Sequence, residues 1–359
     1  MVDMRLAALR AHAATRTFFR ADDLAEAVRA LGFVQIDPIR APARAQDLIL
    51  RHRVRDYRAG DLEARFSELP LVEDFVHVYG VLPEASLDLL HPRRRHHTLR
   101  VELEHPALAR KILNHIERNG ATHPRDLTRA LGSARMINGW GGSSTATTRM
   151  LEALHYRGKL RVLRRDSGVK VYGVAPMRES GLPLSLRAHQ LLQMLVRLYA
   201  PLSVASLRQL AAMITQDSVP ESMRMRALAR LLKSDWIARG LVDGVEYLWP
   251  ADESARVEAP DTVRLLAPFD PVVWDRRRFA HLWEWEYRFE AYTPSAKRRY
   301  GYYALPMLWR DRVIGWANVA LRSGQLDVAT GFAGKEPRSA VFRRQLEREI
   351  DALSRSLGN

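Results

Sequence analysis

A pattern that occurs twice in the middle of the chain limits its possible folds more than any single residue does. In the first copy Leu151, Leu154 and Leu160 are spaced by three and six, and in the second Leu228, Leu231 and Ile237 have the same spacing. Leucines three apart share one face of a helix, and the longer step carries the chain off the helix end. Each copy then enters strand-forming residues broken by a turn. The first turns at Asp166-Ser167-Gly168 and closes at Tyr172 with Pro176 beyond, and the second turns at Asp243-Gly244 and closes at Tyr247 with Pro250 beyond. Asp-Gly between β-branched residues is a strong two-residue hairpin signal. Upstream of the copies lie paired helical stretches, 107–118 with 124–131 and 186–199 with 203–213. Helices followed by a hairpin make a recognition helix and its wing.

The N-terminal part supplies a third set. Residues 5–14 and 22–31 read as helices, the second opening after Arg20-Ala21-Asp22-Asp23 and stopping at Gly32, and 43–57 and 61–68 read as helical again. From about residue 262 the texture turns to β, with runs of Val, Tyr, Phe and Trp broken at Pro294-Ser295, Trp309-Arg310-Asp311-Arg312 and Ser323-Gly324. This describes a small barrel or a strongly bent sheet. Phe342, Leu346, Ile350, Leu353 and Leu357 then form one apolar stripe of a closing helix, with Arg343, Arg344 and Arg348 facing outward. The expected fold class is therefore α+β: tandem winged helix-turn-helix units, three in number, at 1–104, 105–178 and 179–252, then a C-terminal β-rich, barrel-like domain with a closing helix at 253–359.

Charge points to a polyanionic partner. The 56 Lys and Arg exceed the 41 Asp and Glu, giving a formal net charge of +15, which concentrates polyanions at the surface and makes nucleic acid the leading partner. The absence of cysteine excludes disulfides and thiolate metal sites, and the histidines, His96-His97 included, lack metal-ligand spacing. Neither a metal nor a cofactor is expected. The Ala- and Arg-rich stretch from Met1 to Phe19 lacks the apolar core of a secretion signal and reads as the first helix. No apolar run approaches the roughly 20 residues of a membrane span. The expectation is a monomer in the cytoplasm, associated with the nucleoid through DNA.

The chemistry-bearing stretch is Phe33-Val34-Gln35-Ile36-Asp37-Pro38-Ile39-Arg40. If it is extended, Gln35 and Asp37 project from one face and Ile36 from the other, and Pro38 biases Asp37 toward that geometry. The same Asp-Pro pair also suits a helix cap with proline in the first position. Spacing leaves both readings open.

The stretch Val34 to Arg40, followed by Ala43-Arg44-Ala45, resembles the signature of winged-helix DNA glycosylases of the YcaQ/AlkZ type. Glu73-Asp74-Phe75-Val76-His77 with Leu82-Pro83, and the block from Leu265 to Arg276 running on to Lys297-Arg298-Arg299-Tyr300-Gly301-Tyr302-Tyr303, extend the resemblance over most of the chain. It implies a monofunctional enzyme that cuts the bond between an alkylated purine and deoxyribose, including bulky adducts and interstrand crosslinks, in double-stranded DNA. Asp37 would be the proton acceptor for water and Gln35 would fix that water. The Asp at the second polar position places the chain nearer the Gln-x-Asp, YcaQ-like branch. His77 would lie near the site as support, although a lone histidine is more often structural. Phe75 and Trp316 depart from the family pattern, the second at a position where a basic residue is common.

DNA contacts are expected from Arg40 and Arg44 beside the motif, and from Thr147 and Arg149 at the start of the first recognition helix, where Thr145 and Thr148 also sit. Further contacts are expected from Arg164, Arg165 and Lys170 on its wing and from Lys297, Arg298 and Arg299. Tyr300, Tyr302 and Tyr303 also fit ordinary strand positions, with Tyr302 in the core. Arg93-Arg94-Arg95-His96-His97 is either a solvated linker or a phosphate contact. The competing function is a non-enzymatic winged-helix transcriptional regulator, which composition and repeats fit equally well and which only the Gln35/Asp37 motif and the C-terminal block disfavour.

Overall fold

The computed structural model describes residues 2–3, 5–94, 98–132, 134–137, 143–176, 181–254, 257–322 and 325–358. It is α+β, with 15 α-helices and several separate sheets among those residues. Arg95, His96, His97 and the expected turn at Ser323-Gly324 lie outside them. Among the described residues no helix is long and apolar enough to cross a membrane. The chain forms two compact units: residues 1–62, 192–212 and 227–359 make one, and residues 63–191 and 213–226 the other.

In the unit of residues 63–191 and 213–226, the helices Leu108–Asn119, Pro124–Leu131 and Ala146–Tyr156 lead into the antiparallel hairpin Leu160–Asp166 and Val169–Val174. Leu151, Leu154 and Leu160, the spaced residues of the first repeat, enter one core with Ile112, Ile116, Leu127 and Tyr172. Each such side chain contributes roughly 1.5–3 kcal/mol by leaving water. The third helix starts where it does because Thr145 accepts the Thr148 N–H through its hydroxyl at 3.1 Å.

The other unit begins with Leu6–Thr15 and Leu24–Leu31. Asp23 caps the second helix by accepting the Glu26 N–H, and Gly32 ends it at a φ of 77°. A side chain at Gly32 would be strained there and would meet Met194 Cγ at 2.9 Å. The hairpin of the second repeat, Ile237–Val242 and Val245–Pro250, sits within a four-stranded sheet, with Val2–Asp3 parallel on one side and Leu202–Ser203 on the other. Asp243 and Gly244 have φ of 49° and 77°, as Ser167 and Gly168 have 51° and 86° in the first hairpin. Both turns thus take the doubly positive form that matches strand twist.

The C-terminal part of this unit corrects one expectation. Val263–Leu265, Leu305–Trp309, Arg312–Arg322 and Gln325–Phe332 pair in that order as an antiparallel sheet that does not close into a barrel. Four strands are too few to wrap around a filled interior. One face is covered instead by helix Ala340–Ser356, whose Phe342 ring lies 5.1 Å from Trp309 and 6.1 Å from Phe332. Phe342 and Leu353 are buried, while Arg343, Arg344 and Arg348 are exposed as the stripe requires.

Candidate active site

The motif is anchored by apolar residues that come before its polar ones. Phe33 and Val34 are each 1% exposed and hold the short strand Val34–Gln35 against the core. The strand ends at Gln35, so Asp37 sits in the loop that follows. No helix starts at Pro38, and the next helix is Ala45–Leu50. Asp37 therefore caps a turn: its Oδ1 accepts the Ile39 N–H at 2.9 Å. Its own N–H points at Gln46 Oε1 at 3.4 Å. Oδ2 has no partner among the described residues.

Asp37 is only 8% exposed. Burial raises its carboxyl above the ordinary aspartate range, and the Ile39 hydrogen bond offsets part of that rise. A carboxylate raised in this way takes a proton more readily than one in water.

Gln35 is fixed from far along the chain. Trp274 Nε1–H donates to Gln35 Oε1 at 3.2 Å, which leaves the amide nitrogen of Gln35 without a partner among the described residues. The block around Trp274 explains why it can do so. Asp270 starts the short helix Pro271–Trp274 by accepting the Val272 N–H, and Asp275 starts Arg276–Trp283 by accepting the N–H groups of Arg277 and Arg278. Asp270 also takes the buried Arg53 guanidinium at 2.8 and 3.1 Å, while Arg53 donates to Thr17 O, Thr17 Oγ1 and Ile49 O. Arg53 and Asp270 are both 0% exposed. The acids of the C-terminal block thus support the motif, a role its sequence did not reveal.

Beside the motif lies an open cavity of ≈ 630 Å³ whose lining includes Arg40, Pro42, Tyr302, Tyr303, Asn318 and Arg322. Glu290 fixes one wall by accepting backbone N–H groups from Arg299, Tyr300 and Gly301. Asn318 Nδ2 donates to Tyr300 O at 2.8 Å. Tyr302 is 44% exposed and Tyr303 4%, so the core position belongs to Tyr303 and not to Tyr302 as expected. Trp316, the departure from the basic pattern, packs with Tyr300 at 4.8 Å and Trp285 at 6.1 Å. It joins an aromatic cluster rather than presenting a charge.

The basic candidates of this unit differ in availability. Arg40, Lys297 and Arg299 are exposed, whereas Arg298 lies over the Tyr302 ring and donates to Thr293 O. Arg44 is half-buried and precedes the Ala45–Leu50 helix.

The remaining candidates belong to the other unit. Thr147 is 1% exposed, with its hydroxyl donating to Gly132 O. Arg149 pairs with Glu152 and Arg164 with Asp166, both partly exposed. Arg165 is held by both oxygens of Glu73 at 2.6 Å, and Lys170 Nζ lies 3.7 Å from the centre of the Tyr79 ring. Burial lowers Lys170 to about 8. His77 is buried, and burial pushes it down to about 3, so it is neutral at physiological pH. Asp74, next to Glu73, takes His91 and Arg93, which turns the first arginine of the basic run inward. Among the described residues no group of three or more His, Asp or Glu is placed to hold a metal ion.

Residues 28–356 match the family described as DNA glycosylase AlkZ-like. The fold is similar to that of Streptomyces sahachiroi DNA glycosylase AlkZ, with a TM-score of 0.66 and 14% identity over 99% of this chain and 98% of that one. At that identity the likeness concerns the fold.

Proposed function

The chain belongs to the DNA glycosylase AlkZ-like family, and from that premise we propose that it hydrolyses the glycosidic bond of alkylated purines with Asp37 as the general base. The observation that carries the reading is the pairing of a buried, raised Asp37 carboxylate with a Gln35 amide held by Trp274. In the reaction a bond forms between water oxygen and C1′ of deoxyribose, and the bond from C1′ to the base nitrogen breaks with its electron pair going to the base. The water proton passes to Asp37 Oδ2. Gln35 fixes the water by accepting its second hydrogen at Oε1, which keeps a lone pair beyond the one that takes Trp274, and the Asp37 charge faces the cationic sugar as it develops. An N7- or N3-alkylated purine departs as a neutral molecule, so no strong acid is required. The stretch from Phe33 to Gln46 contains no lysine, so the attacking group is water and strand cleavage does not follow.

The proposal extends to bulky adducts and interstrand crosslinks, as in the Gln-x-Asp branch, and to an organisation of winged helix-turn-helix units at 1–104, 105–178 and 179–252 ahead of a β-rich region at 253–359. Arg40, Lys297 and Arg299, exposed, are assigned to phosphate together with Arg44 and Arg298 of the same unit, and Arg149 and Arg164 are assigned to phosphate on the other unit. Thr147, Arg165 and Lys170 support the surface of that second unit from within. The test is single-turnover release from matched duplexes carrying N7-methylguanine or an N7–N7 crosslink. The native chain should release both at rates within about tenfold, a barrier difference of roughly 1.4 kcal/mol. Asp37→Asn should slow both by roughly 10²–10⁴-fold with DNA affinity unchanged. Full activity of that variant would refute the base assignment, and release of the methylated base alone would refute the crosslink range.

A further inference from the structure

Three tyrosines, Tyr287, Tyr300 and Tyr303, are buried, at 3%, 4% and 4% exposure, and Tyr303 lines the cavity. Two of them use their hydroxyls within the protein: Tyr287 donates to Ala304 O at 2.7 Å, and Tyr300 donates to Glu286 O. The Tyr303 hydroxyl is shielded from solvent and has no hydrogen-bond partner among the described residues. Leaving a buried donor unpaired is costly. Phenylalanine would fill the same space against Phe289, whose ring lies 5.3 Å away edge-on, without that cost. Packing therefore accounts for the ring of Tyr303 and not for its oxygen.

We propose that Tyr303 is a further catalytic residue, its hydroxyl donating to the water that Asp37 deprotonates. The inference rests on the reading of Asp37 as the base. Its place in the cavity supports it. Tyr303 lines the cavity that begins at Arg40, three residues beyond Asp37. The Asp37 charge also reaches the Tyr303 hydroxyl, although the two make no direct hydrogen bond. Two polar groups that make no direct hydrogen bond can share one water between them. That water would accept from Tyr303 and donate to Asp37, keeping its remaining lone pair for C1′.

Burial, and after it the Asp37 charge, holds the phenol well above its ordinary range, so it stays a donor through neutral pH. The other titratable groups facing it are Tyr287, Tyr292 and Tyr302, all phenols. Arg40, Arg322 and Asp327 complete the charged lining of the cavity. Among the groups facing the hydroxyl, only Asp37 is a carboxylate, so the acid limb of the rate is assigned to it.

The experiment compares Tyr303→Phe with the native chain by single-turnover excision of N7-methylguanine as a function of pH. The expected result is a fall of about tenfold or more, unchanged duplex affinity, an unchanged or higher melting temperature, and an acid limb moved to higher pH. The limb moves up because the Asp37 carboxylate loses a polarised donor that favoured its charged form. Incorporating 3-fluorotyrosine at position 303, which keeps the hydroxyl, should hold the native rate within about threefold. A native rate in Tyr303→Phe, or a slower rate with an unmoved limb and a lowered melting temperature, would overturn the role of Tyr303. Asp37→Asn in parallel separates the two claims. If it is inactive while Tyr303→Phe is fully active, only the tyrosine inference fails; if it is active, the underlying reading of Asp37 fails.

Discussion

Asp270→Asn tests whether the site depends on a buried charge far from its reacting groups. Arg53 sits at 0% exposure and uses its donors on Asp270 Oδ1 and Oδ2, Thr17 O, Thr17 Oγ1 and Ile49 O. The amide would keep one acceptor oxygen, but its NH₂ would face an Arg53 N–H, and the guanidinium charge would lose the one acid it pairs with among the described residues. Breaking one side of such a pair costs about 3–5 kcal/mol, a large share of the roughly 5–15 kcal/mol that stabilises a typical domain. Urea unfolding followed by tryptophan fluorescence is a suitable assay. Of the 8 tryptophans, all except Trp140 lie in the unit that contains Asp270. The variant should lose about 3–5 kcal/mol and also excise more slowly, because Asp270 starts the helix that carries Trp274 to Gln35. Replacing both partners by apolar residues, Arg53→Met with Asp270→Leu, should restore most of the stability, since an uncharged pair leaves no buried charge unmatched. A loss below about 1 kcal/mol in Asp270→Asn, the level of an exposed pair, would refute the reasoning.

Trp274→Phe should keep an aromatic ring against Tyr199 but remove the donor to Gln35 Oε1. The loss of about 1 kcal/mol of orientation corresponds to excision about fivefold slower by single-turnover kinetics, and an unchanged rate would show that Gln35 is fixed by other contacts. Lys297→Ala with Arg299→Ala should flatten the dependence of log affinity on log salt by roughly 1.8, at about 0.9 per phosphate contact. Titration of an undamaged duplex across salt concentrations measures that slope, and an unchanged value would place both residues off the DNA path.

Local features of the fold were legible wherever one stretch of sequence contains its own cause. Asp243-Gly244 sets a turn through backbone angles, Asp23 and Gly32 bound a helix through a cap and a left-handed stop, and the stripe from Phe342 to Leu357 marks the face that packs on the sheet. The sequence marked the Gln35/Asp37 pair as a candidate for chemistry, but it did not reveal the conformation of the pair. A strand that stops at Gln35 and a turn closed by Asp37 look the same in periodicity as a longer strand or a helix cap. Tyr302 and Tyr303 fall in a turn before the strand at Leu305 rather than in a strand, so no alternation told which of the two rings enters the core. Pairings such as Trp274 with Gln35 and Arg53 with Asp270 join residues more than 200 positions apart and leave no local spacing to read. The positive charge was countable, yet the sequence could not separate exposed Lys297 and Arg299 from Arg165, which is consumed by Glu73.

The support around Asp37 bears on selectivity. Its carboxyl is raised by burial, partly offset by one backbone N–H, and the reading proposed for it uses no second carboxylate. A pair of carboxylates would divide into an acid and a base, as in glycoside hydrolysis, and would assist departure of an uncharged purine. A lone base supplies only roughly 10²–10⁴-fold, about 3–5 kcal/mol of barrier. That contribution matters for a base whose own positive charge already weakens its bond to the sugar, and it leaves normal purines close to their uncatalysed rate. Discrimination then resides in the leaving group, so the protein need not enclose the base to recognise it. An open cavity beside Arg40 and Tyr303 is compatible with that division of labour: on the proposed reading the lesion brings the lability, and the chain would position a water, accept its proton and present a surface for phosphate.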